Sequence, residues 1–281
     1  MATRGWFVTG TDTEIGKTYV ARGLLRLLAG RGLKVAGFKP VATGCEVSPD
    51  GLRNADALAL RQAGTVDVSY ETVNPYAFVP PIAPHLAARE AGIAIRPEPI
   101  LRAFAALNAR ADAVVVEGAG GWRVPLGEDW DMADLAATLD LPVILVVGMR
   151  LGCINHALLS AEAIGPRLCG WVANAVQPDM AAMAGSLQTL QARMPAPCLG
   201  IVPGSNCPHY DSEADRRPSY RAMVASGAVP DGYAADDGVA LHFVDGVFHR
   251  AVANRPKSMA WSVRRGADGA IETAVEPLRL P

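Results

Sequence analysis

The sequence contains few aromatic residues, few lysines and no apolar run long enough to cross a membrane. Aromatic residues make up 6% of the 281 positions and charged residues 19%, while hydrophobic residues make up 50%. The longest apolar runs, near Ala113–Val116 and Leu141–Val147, fall far short of the ~20 residues that a membrane helix needs. The amino terminus has charge and glycine where a signal peptide has an apolar core. We therefore expect a cytoplasmic, globular protein with no membrane partner.

The charge balance argues against a protein that binds nucleic acid, and the cysteine content argues against a disulfide-bonded protein. The formal net charge is −2, which argues against a nucleic-acid partner held by bulk positive charge. The five cysteines are odd in number and include no Cys-x-x-Cys pair, a pattern typical of reduced thiols. The chain has 22 arginines but only four lysines, Lys17, Lys34, Lys39 and Lys257. A lysine inside a motif is therefore stronger evidence of function than it would be in a lysine-rich chain.

Short apolar runs alternate with amphipathic stretches as far as residue 202, which is typical of an α/β fold. The runs are nearly continuous rather than alternating, as in strands that helices cover on both faces. We predict a doubly wound parallel sheet of the phosphate-loop nucleotide-binding type, with ligands at the carboxyl ends of its strands. The predicted strands are Trp6–Thr9, Lys34–Lys39, Ala113–Glu117, Leu141–Val147, Cys169–Val172 and Cys198–Val202, with a helix over Thr18–Ala29.

The pattern changes after Pro203, and we place a domain boundary there, between residues 1–202 and 203–281. One helix is predicted over Arg216–Ser226. Asp245-Gly246, a preferred hairpin turn, separates the apolar runs Val239–Val244 and Val247–Ala253. With two more predicted strands, Ala260–Arg264 and Ile271–Val275, the second segment is expected to be a mostly antiparallel β appendage.

The strongest local signal is a glycine loop that follows the first strand and opens the first helix. Backbone N–H groups of such a loop converge on one point, and the helix dipole adds positive charge there, so the loop binds phosphate. Lys17 is predicted to meet the β- and γ-phosphates of ATP, and Thr18 to ligate Mg²⁺. Five residues separate the two glycines where four are usual; the loop is Gly10-Thr11-Asp12-Thr13-Glu14-Ile15-Gly16-Lys17-Thr18.

Three further side chains are expected at the same edge of the sheet. Lys39 ends the second predicted strand, and parallel strands present their carboxyl ends together, so an anion fits between it and the loop. Glu117 ends an apolar strand, the layout of the acidic residue that helps to hold Mg²⁺ in phosphate-loop enzymes, and Gly118 permits close approach to a ligand. Asp56 is a weaker candidate. Thr18, Asp56 and Glu117 would suffice for Mg²⁺ on ATP.

Together these residues resemble the dethiobiotin synthetase family, which explains the five-residue gap in the loop. The resemblance implies an ATP-dependent ligase of biotin biosynthesis that carboxylates 7,8-diaminononanoate with CO₂ and closes a ureido ring through a carbamic–phosphoric anhydride. The matching blocks run in family order over residues 1 to about 202: Phe7–Thr18, Phe38–Gly44, Gly51–Asp56, Val73–Phe78, Pro81–His85, Val116–Trp122, Pro142–Gly148, Leu151–His156 and Gly170–Asn174.

The resemblance also implies particular roles. Thr13 and Glu14 would lie beside the reacting groups, while Lys17 and Lys39 would neutralise the carbamate and the γ-phosphate. The Thr43 hydroxyl and the backbone of Gly118 would face the substrate, and Asn174 would read adenine. Asn155, at a helix start from a neighbouring subunit, would bind the substrate carboxylate, which implies a homodimer with shared active sites.

The resemblance ends near residue 202, and the chain continues with a segment similar to the carboxyl-terminal part of peptidase E-like serine peptidases. His209 would be the counterpart of a triad histidine, but the chain has no Gly-x-Ser-x-Gly elbow, so we expect no peptidase activity. Two alternatives remain open: a regulatory ATPase of the partition type, and an inactive hybrid. Partition-type ATPases carry an extra lysine early in the loop, and Thr11–Glu14 has none.

Overall fold

Short strands and helices alternate along most of the chain. The structure, a computed structural model, describes residues 5–176, 180, 182–202, 205–208, 210–212, 215–226, 231–244 and 247–280. Up to Val202 the strands are β1 (Gly5–Gly10), β2 (Val35–Phe38), β3 (Val41–Ala42), β4 (Glu46–Ser48), β5 (Gly51–Arg53), β6 (Tyr76–Ala77), β7 (Ala113–Glu117), β8 (Val143–Gly148), β9 (Leu168–Asn174) and β10 (Cys198–Val202). The helices are α1 (Lys17–Ala29), α2 (Ala55–Ala63), α3 (Tyr70–Val73), α4 (Pro84–Glu90), α5 (Pro97–Asn108), α6 (Met132–Thr138), α7 (Cys153–Ile164) and α8 (Met183–Arg193), with a 3₁₀ turn at Gly165–Arg167.

A six-stranded parallel sheet with the order β10-β9-β8-β1-β7-β2 forms the centre of this region. Every residue of β7 and of β8 is buried, as their continuous apolar sequences predict for strands covered on both faces. The six predicted strands are confirmed, with ends that differ by no more than two residues. β8 starts at Val143 rather than Leu141, after Pro142, which has no N–H to donate to a sheet.

The order of the strands reverses beside β1, which lies between β7 and β8. β1 pairs in parallel with both neighbours, and β2 pairs in parallel with the far side of β7. In open α/β sheets ligands bind outside the carboxyl ends of the strands at such a reversal. Gly10 ends β1, Glu117 ends β7 and Lys39 follows β2, so the topology brings all three to one edge.

Helix α1 follows the phosphate loop and is held in place by an apolar stripe. Ala21, Leu25 and Leu28 recur at helical spacing and are buried, and the helix packs against β2 and β7. Lys17, the first residue of α1, is also buried. The helix therefore carries a charged side chain into the interior at its amino end, in line with the phosphate-binding role predicted for it.

The chain divides into two compact units. Met1–Val147, Cys153–Val172 and Gln188–Leu199 form the first, and Gly148–Gly152, Ala173–Leu187 and Gly200–Pro281 form the second. Beyond Val202 the elements are β11 (Ser205–Pro208), α9 (Arg216–Ser226), β12 (Gly232–Ala235), β13 (Val239–Val244), β14 (Val247–Ala253), β15 (Ala260–Gly266), β16 (Gly269–Val275) and β17 (Leu278–Arg279).

The region after Val202 contains two small sheets, with the orders β11-β12-β15-β16 and β13-β14-β17. Three of the strand pairs are antiparallel, so the expected mostly antiparallel character is confirmed. The pairs β11–β12 and β14–β17 are parallel and involve short strands that the pattern did not predict. Helix α9 and the hairpin strands β13 and β14 have the predicted bounds, while the turn at Asp245-Gly246 and the predicted triad counterpart His209 lie outside the described residues.

This second region has a hydrophobic core of its own. The buried members of that core include Tyr210, Tyr220 and Val224, and Trp261 packs against them. The guanidinium of Arg217 lies 4.4 Å from the ring centre of Trp261 and donates to Glu272 at 3.0 Å. Over the described residues of the whole chain, no helix is long and apolar enough to cross a membrane.

Candidate active site

The phosphate loop connects β1 to α1 and is anchored from below by Ile15. This side chain is 1% exposed, and its Cδ1 atom would be 2.5 Å from a Cβ added at Gly10, so any larger residue at Gly10 would displace it. Gly16 has φ 83°, the left-handed region that glycine adopts without strain. Glu14 has φ 56°, an uncommon conformation for a non-glycine residue that is found often at functional sites.

The amino end of α1 offers its backbone to a ligand. Its N-cap residue is Gly16, and no side chain among the described residues caps it. The first N–H groups of a helix have no partner within the helix, and with the positive end of the helix dipole they attract an anion. The N–H of Thr11, in contrast, donates to the carbonyl of Val146 in β8 at 3.0 Å, which fixes the start of the loop against the sheet.

Lys17 and Lys39 line the same cavity, of about 400 Å³. The two side chains come from different elements, α1 and the end of β2, and meet as the parallel topology predicts. The predicted site residues that line the cavity are Thr13, Glu14, Gly16, Lys17, Thr18, Lys39, Thr43, Asp56 and Glu117. Val41, Ala42, Asn54, Ala119 and Gly120 line it as well and were not among the predicted site residues.

Lys39 is the centre of the polar contacts in the cavity. Its Nζ donates to Glu117 Oε1 at 2.6 Å and to Asp56 Oδ2 at 3.4 Å, and it lies 3.5 Å from the carbonyl oxygen of Gly118. The hydroxyl of Thr18 also donates to Glu117 Oε1, at 2.9 Å. Lys39 and Glu117 are 5% and 1% exposed, so this ion pair is shielded from solvent, whereas the Asp56 side chain is about half exposed.

The two lysines have opposite electrostatic environments. Burial, together with the nearby ammonium of Lys39, lowers the pKa of Lys17 to about 8. Burial also acts to lower the pKa of Lys39, but the carboxylates of Glu117 and Asp56 outweigh it and the pKa of Lys39 is raised. Lys17 points one proton at the carbonyl oxygen of Asp12, 2.8 Å away. Lys39 is therefore charged and paired, while Lys17 is a buried cation that an anionic ligand would stabilise.

The acidic side of the cavity fits a divalent cation that a ligand helps to hold. Glu117 Oε2 is buried and has no hydrogen-bond partner among the described residues, which leaves a carboxylate oxygen available to a metal. Within the described ranges no group of three or more His, Cys, Asp or Glu could hold a metal ion alone. Glu117, Asp56 and the Thr18 hydroxyl supply few oxygens, which suits Mg²⁺, because Mg²⁺ keeps waters and takes further oxygens from phosphates.

Asn54 explains how Asp56 and Thr43 reach the cavity. Its side-chain oxygen accepts from the N–H of Ala57 and caps α2, and its Nδ2 donates to the carbonyl of Thr43 at 3.2 Å. Asp56 then falls in the first turn of α2, where a carboxylate is favoured by the helix dipole. Sequence reasoning missed Asn54, although asparagine just before a helical run is a known N-cap signal.

Seven predicted site residues are not among those that line this cavity: Gly10, Thr11, Asp12, Ile15, Gly118, Asn155 and Asn174. The first five lie in the phosphate loop or directly after β7. Asn155 is exposed in the first turn of α7. Asn174 is 9% exposed at the end of β9, and its carbonyl accepts from the N–H of Met149 at 2.7 Å. Their predicted roles, carboxylate binding from a neighbouring subunit and adenine reading, stay predictions.

The fold and the site together define a phosphate-loop nucleotide-binding α/β protein. A family model described as an AAA domain matches residues 4–206. Relatives that carry the name ATP-dependent dethiobiotin synthetase BioD match this chain, among them the following three. The protein from Pseudomonas paraeruginosa (strain DSM 24068 / PA7) is 59% identical over 204 residues, which cover 70% of this chain and 89% of the relative. The protein from Chromohalobacter salexigens is 51% identical over a match that covers 78% of this chain and 97% of the relative. The protein from Aromatoleum aromaticum is 52% identical over a match that covers 71% of this chain and 90% of the relative. This chain belongs to the dethiobiotin synthetase family.

Proposed function

We propose that this chain is an ATP-dependent dethiobiotin synthetase, a cyclo-ligase that forms dethiobiotin, ADP and phosphate from 7,8-diaminononanoate, CO₂ and ATP. The observation that carries the proposal is that Lys17 and Lys39 line one cavity in a chain of this family. Glu117 joins the two elements there, because its Oε1 accepts from both Thr18 and Lys39. A buried pair of ammonium groups suits a site where a phosphoryl group meets a second anion.

The phosphate loop and Lys17 would hold the triphosphate of ATP. The first N–H groups of α1 face the phosphates, and the Lys17 ammonium neutralises the β- and γ-phosphate oxygens. Thr18, Asp56 and Glu117 would hold Mg²⁺, which, when bound, offsets the charge on the phosphate oxygens. We assign adenine recognition to Asn174 on the family resemblance.

The reaction needs positioning and charge compensation more than acid–base chemistry. One amine of the substrate attacks CO₂, forms a C–N bond, loses a proton and becomes a carbamate. A carbamate oxygen then attacks the γ-phosphorus, and the bond to the ADP oxygen breaks. The second amine attacks the carbamate carbon and loses a proton, the ring closes, and phosphate leaves with the electrons of the C–O bond. Lys39 faces both the carbamate and the γ-phosphate, while Thr13, Glu14, Thr43 and Gly118 contact the substrate side.

The assembly and location of the protein follow the same proposal. Asn155 is exposed on α7, as a residue must be if it serves the site of a second subunit. We infer a homodimer that shares its active sites, with the amino end of α7 binding the substrate carboxylate, and a cytoplasmic location. The partners are small molecules, not nucleic acid or membrane.

The direct test is an assay of dethiobiotin formation by the purified chain with diaminononanoate, bicarbonate and Mg·ATP. Dethiobiotin detected by mass spectrometry, with one ADP for each product molecule and dependence on all three substrates, supports the proposal. If the rate of ATP hydrolysis does not depend on diaminononanoate, the chain is a regulatory ATPase instead. ATP binding without any turnover indicates an inactive hybrid.

Binding of ATP is expected to weaken as the pH rises, because the ligand needs a charged Lys17. The pKa of Lys17 is about 8 without ligand, and bound phosphate raises it, so binding takes up a proton above that pH. The Kd for Mg·ATP should rise about tenfold between pH 7 and pH 9. Calorimetry in buffers of different ionisation enthalpy measures both the Kd and the proton uptake. A Kd that stays constant over this range, or an equal trend in Lys17→Met, contradicts the assignment.

We propose that residues 1–202 form the synthetase domain and residues 203–281 an appended fragment that resembles peptidase E-like proteins. A chain that ends at Val202 keeps the carbonyl that accepts from the N–H of Ala175 and all residues that line the cavity. Its Kd for Mg·ATP should be within about threefold of that of the full chain, because every residue that lines the cavity comes before Val202. Loss of binding in a shortened chain that still melts cooperatively would make the tail part of the nucleotide site.

A further inference from the structure

A buried chain of hydrogen bonds runs behind the cavity and ends on the backbone of Lys39. Nδ2 of Asn74 donates to the carbonyl oxygen of Lys39 at 2.7 Å and to that of Tyr76 at 3.0 Å. Oδ1 of Asn74 accepts from the hydroxyl of Tyr70 at 2.9 Å. The N–H of Lys39 in turn donates to the carbonyl of Val73 at 2.8 Å. Both backbone polar groups of Lys39 are thus held by the segment 73–74.

The same tyrosine hydroxyl also holds the helix that carries Asp56. It accepts from the N–H of Asn54 at 2.8 Å, the residue that caps α2 and bonds to the Thr43 carbonyl. The Tyr70 hydroxyl is therefore the junction between two branches. One branch reaches Lys39 through Asn74, and the other reaches Asp56 and Thr43 through Asn54.

All three polar side chains of this chain of bonds are removed from solvent. Tyr70, Asn74 and Asn54 are 4%, 3% and 7% exposed, and the guanidinium of Arg53 covers the Tyr70 ring at 4.2 Å. Buried polar groups that lose a partner cannot turn to water, so the backbone shifts to find another. Neither Tyr70 nor Asn74 lines the cavity, so any effect on the reaction must pass through Lys39, Thr43 or α2.

We propose that Tyr70 and Asn74 are positioning residues, which set the place of Lys39 relative to Asp56 and Thr43. This inference rests on the proposed function, because it concerns the groups that face the carbamate and the γ-phosphate. The bonds described above include no residue of the phosphate loop. A break in them is therefore expected to leave Lys17 and the loop N–H groups at the triphosphate and to reach the nucleotide only through Asp56. A misplacement of about 1 Å at reacting groups can cost about 100-fold in rate.

The experiment compares Tyr70→Phe with the matched control Tyr76→Phe. Both variants lose one hydroxyl and keep the ring, but the Tyr76 hydroxyl bonds to the N–H of Arg96 instead of the junction. For Tyr70→Phe we expect kcat for dethiobiotin to fall about tenfold or more and the Kd for Mg·ATP to stay within about twofold. For Tyr76→Phe both values should stay within about twofold of the wild type.

A double-mutant cycle with Asp56→Asn separates positioning from general damage. If Tyr70 acts by placing Lys39 against Asp56, then Tyr70→Phe costs less in the Asp56→Asn background than in the wild type, because the two changes disturb one arrangement. If the factors by which the two substitutions lower kcat simply multiply in the double variant, the proposal is overturned. Where Tyr70→Phe does not fold at the assay temperature, Asn74→Ser removes the donors to Lys39 directly, and the same split between kcat and Kd is expected.

Two other results decide the matter. If the wild type is active and Tyr70→Phe has the same kcat, this inference alone is overturned. The same holds if the wild type is active and Tyr70→Phe loses kcat and ATP affinity together. A wild-type chain that forms no dethiobiotin overturns the proposed function and this inference with it.

Discussion

Replacement of Lys39 by methionine should lower kcat for dethiobiotin formation by about 100- to 1,000-fold, the cost of removing one charge-stabilising donor from a water-excluded site. The Kd for Mg·ATP should change by less than about threefold, because in the proposed function the loop and Lys17 hold the triphosphate. Single-turnover kinetics with calorimetric Kd measurement separates the two effects. Lost ATP affinity with intact turnover contradicts the role of Lys39.

The same variant should be less stable than the wild type. Glu117 is 1% exposed and would lose its 2.6 Å ionic partner, and leaving a buried charge uncompensated costs about 3–5 kcal/mol. Addition of Glu117→Gln to Lys39→Met should recover most of this loss. The control is Lys34→Met, an exposed lysine just before β2, which should match the wild type in kcat and in melting temperature.

The variant Lys17→Met should bind Mg·ATP at least about 30-fold more weakly, because the loss of a desolvated charge partner costs about 2–5 kcal/mol. Turnover at ordinary ATP concentration should then fall below detection. Calorimetry gives the Kd, and the assay at saturating ATP shows how much of the loss is in binding. Near-normal turnover would refute the assignment of the phosphate loop.

The stability of Lys17→Met should move in the direction opposite to that of Lys39→Met. The folded-state pKa of Lys17 is about 8, below its ordinary value of 10.5, so its charged form is disfavoured in the folded protein. The cost is complete below about pH 8 and fades as the pH rises towards the ordinary value. Removing the charge at pH 7 should leave the melting temperature unchanged or raise it. A marked drop in melting temperature would mean that Lys17 stabilises the ligand-free fold.

Local patterns were sufficient for the six strands of the central sheet and for the phosphate loop. A continuous apolar run such as Ala113–Glu117 suits a doubly covered strand and little else, and the observed β7 has those bounds. The glycine loop must follow a strand and open a helix, and it does. The short strands β3, β4, β5, β6, β11, β12 and β17 were missed, because two to four residues carry too little periodicity to be distinguished from a turn.

The contacts between distant residues were predicted only in outline. Parallel topology brought Lys39 and Glu117 to one edge, but nothing in the sequence showed that they form a 2.6 Å pair. Nor did it show that Tyr70 joins Asn54 to Asn74. Such bonds depend on how a helix and two loops fold over one another, and no spacing rule encodes that.

The amino-acid order alone predicted an α/β nucleotide-binding protein, with Lys17 at the phosphates and Thr18 at Mg²⁺, since loop chemistry and strand burial act over a few neighbouring residues. The folded structure decided which lysine is paired and which is not. Burial disfavours both charges, and only Lys39 lies within reach of Glu117 and Asp56. Asp56 and Glu117 are 17 and 78 positions from Lys39 in the chain, and only three-dimensional packing brings them to it.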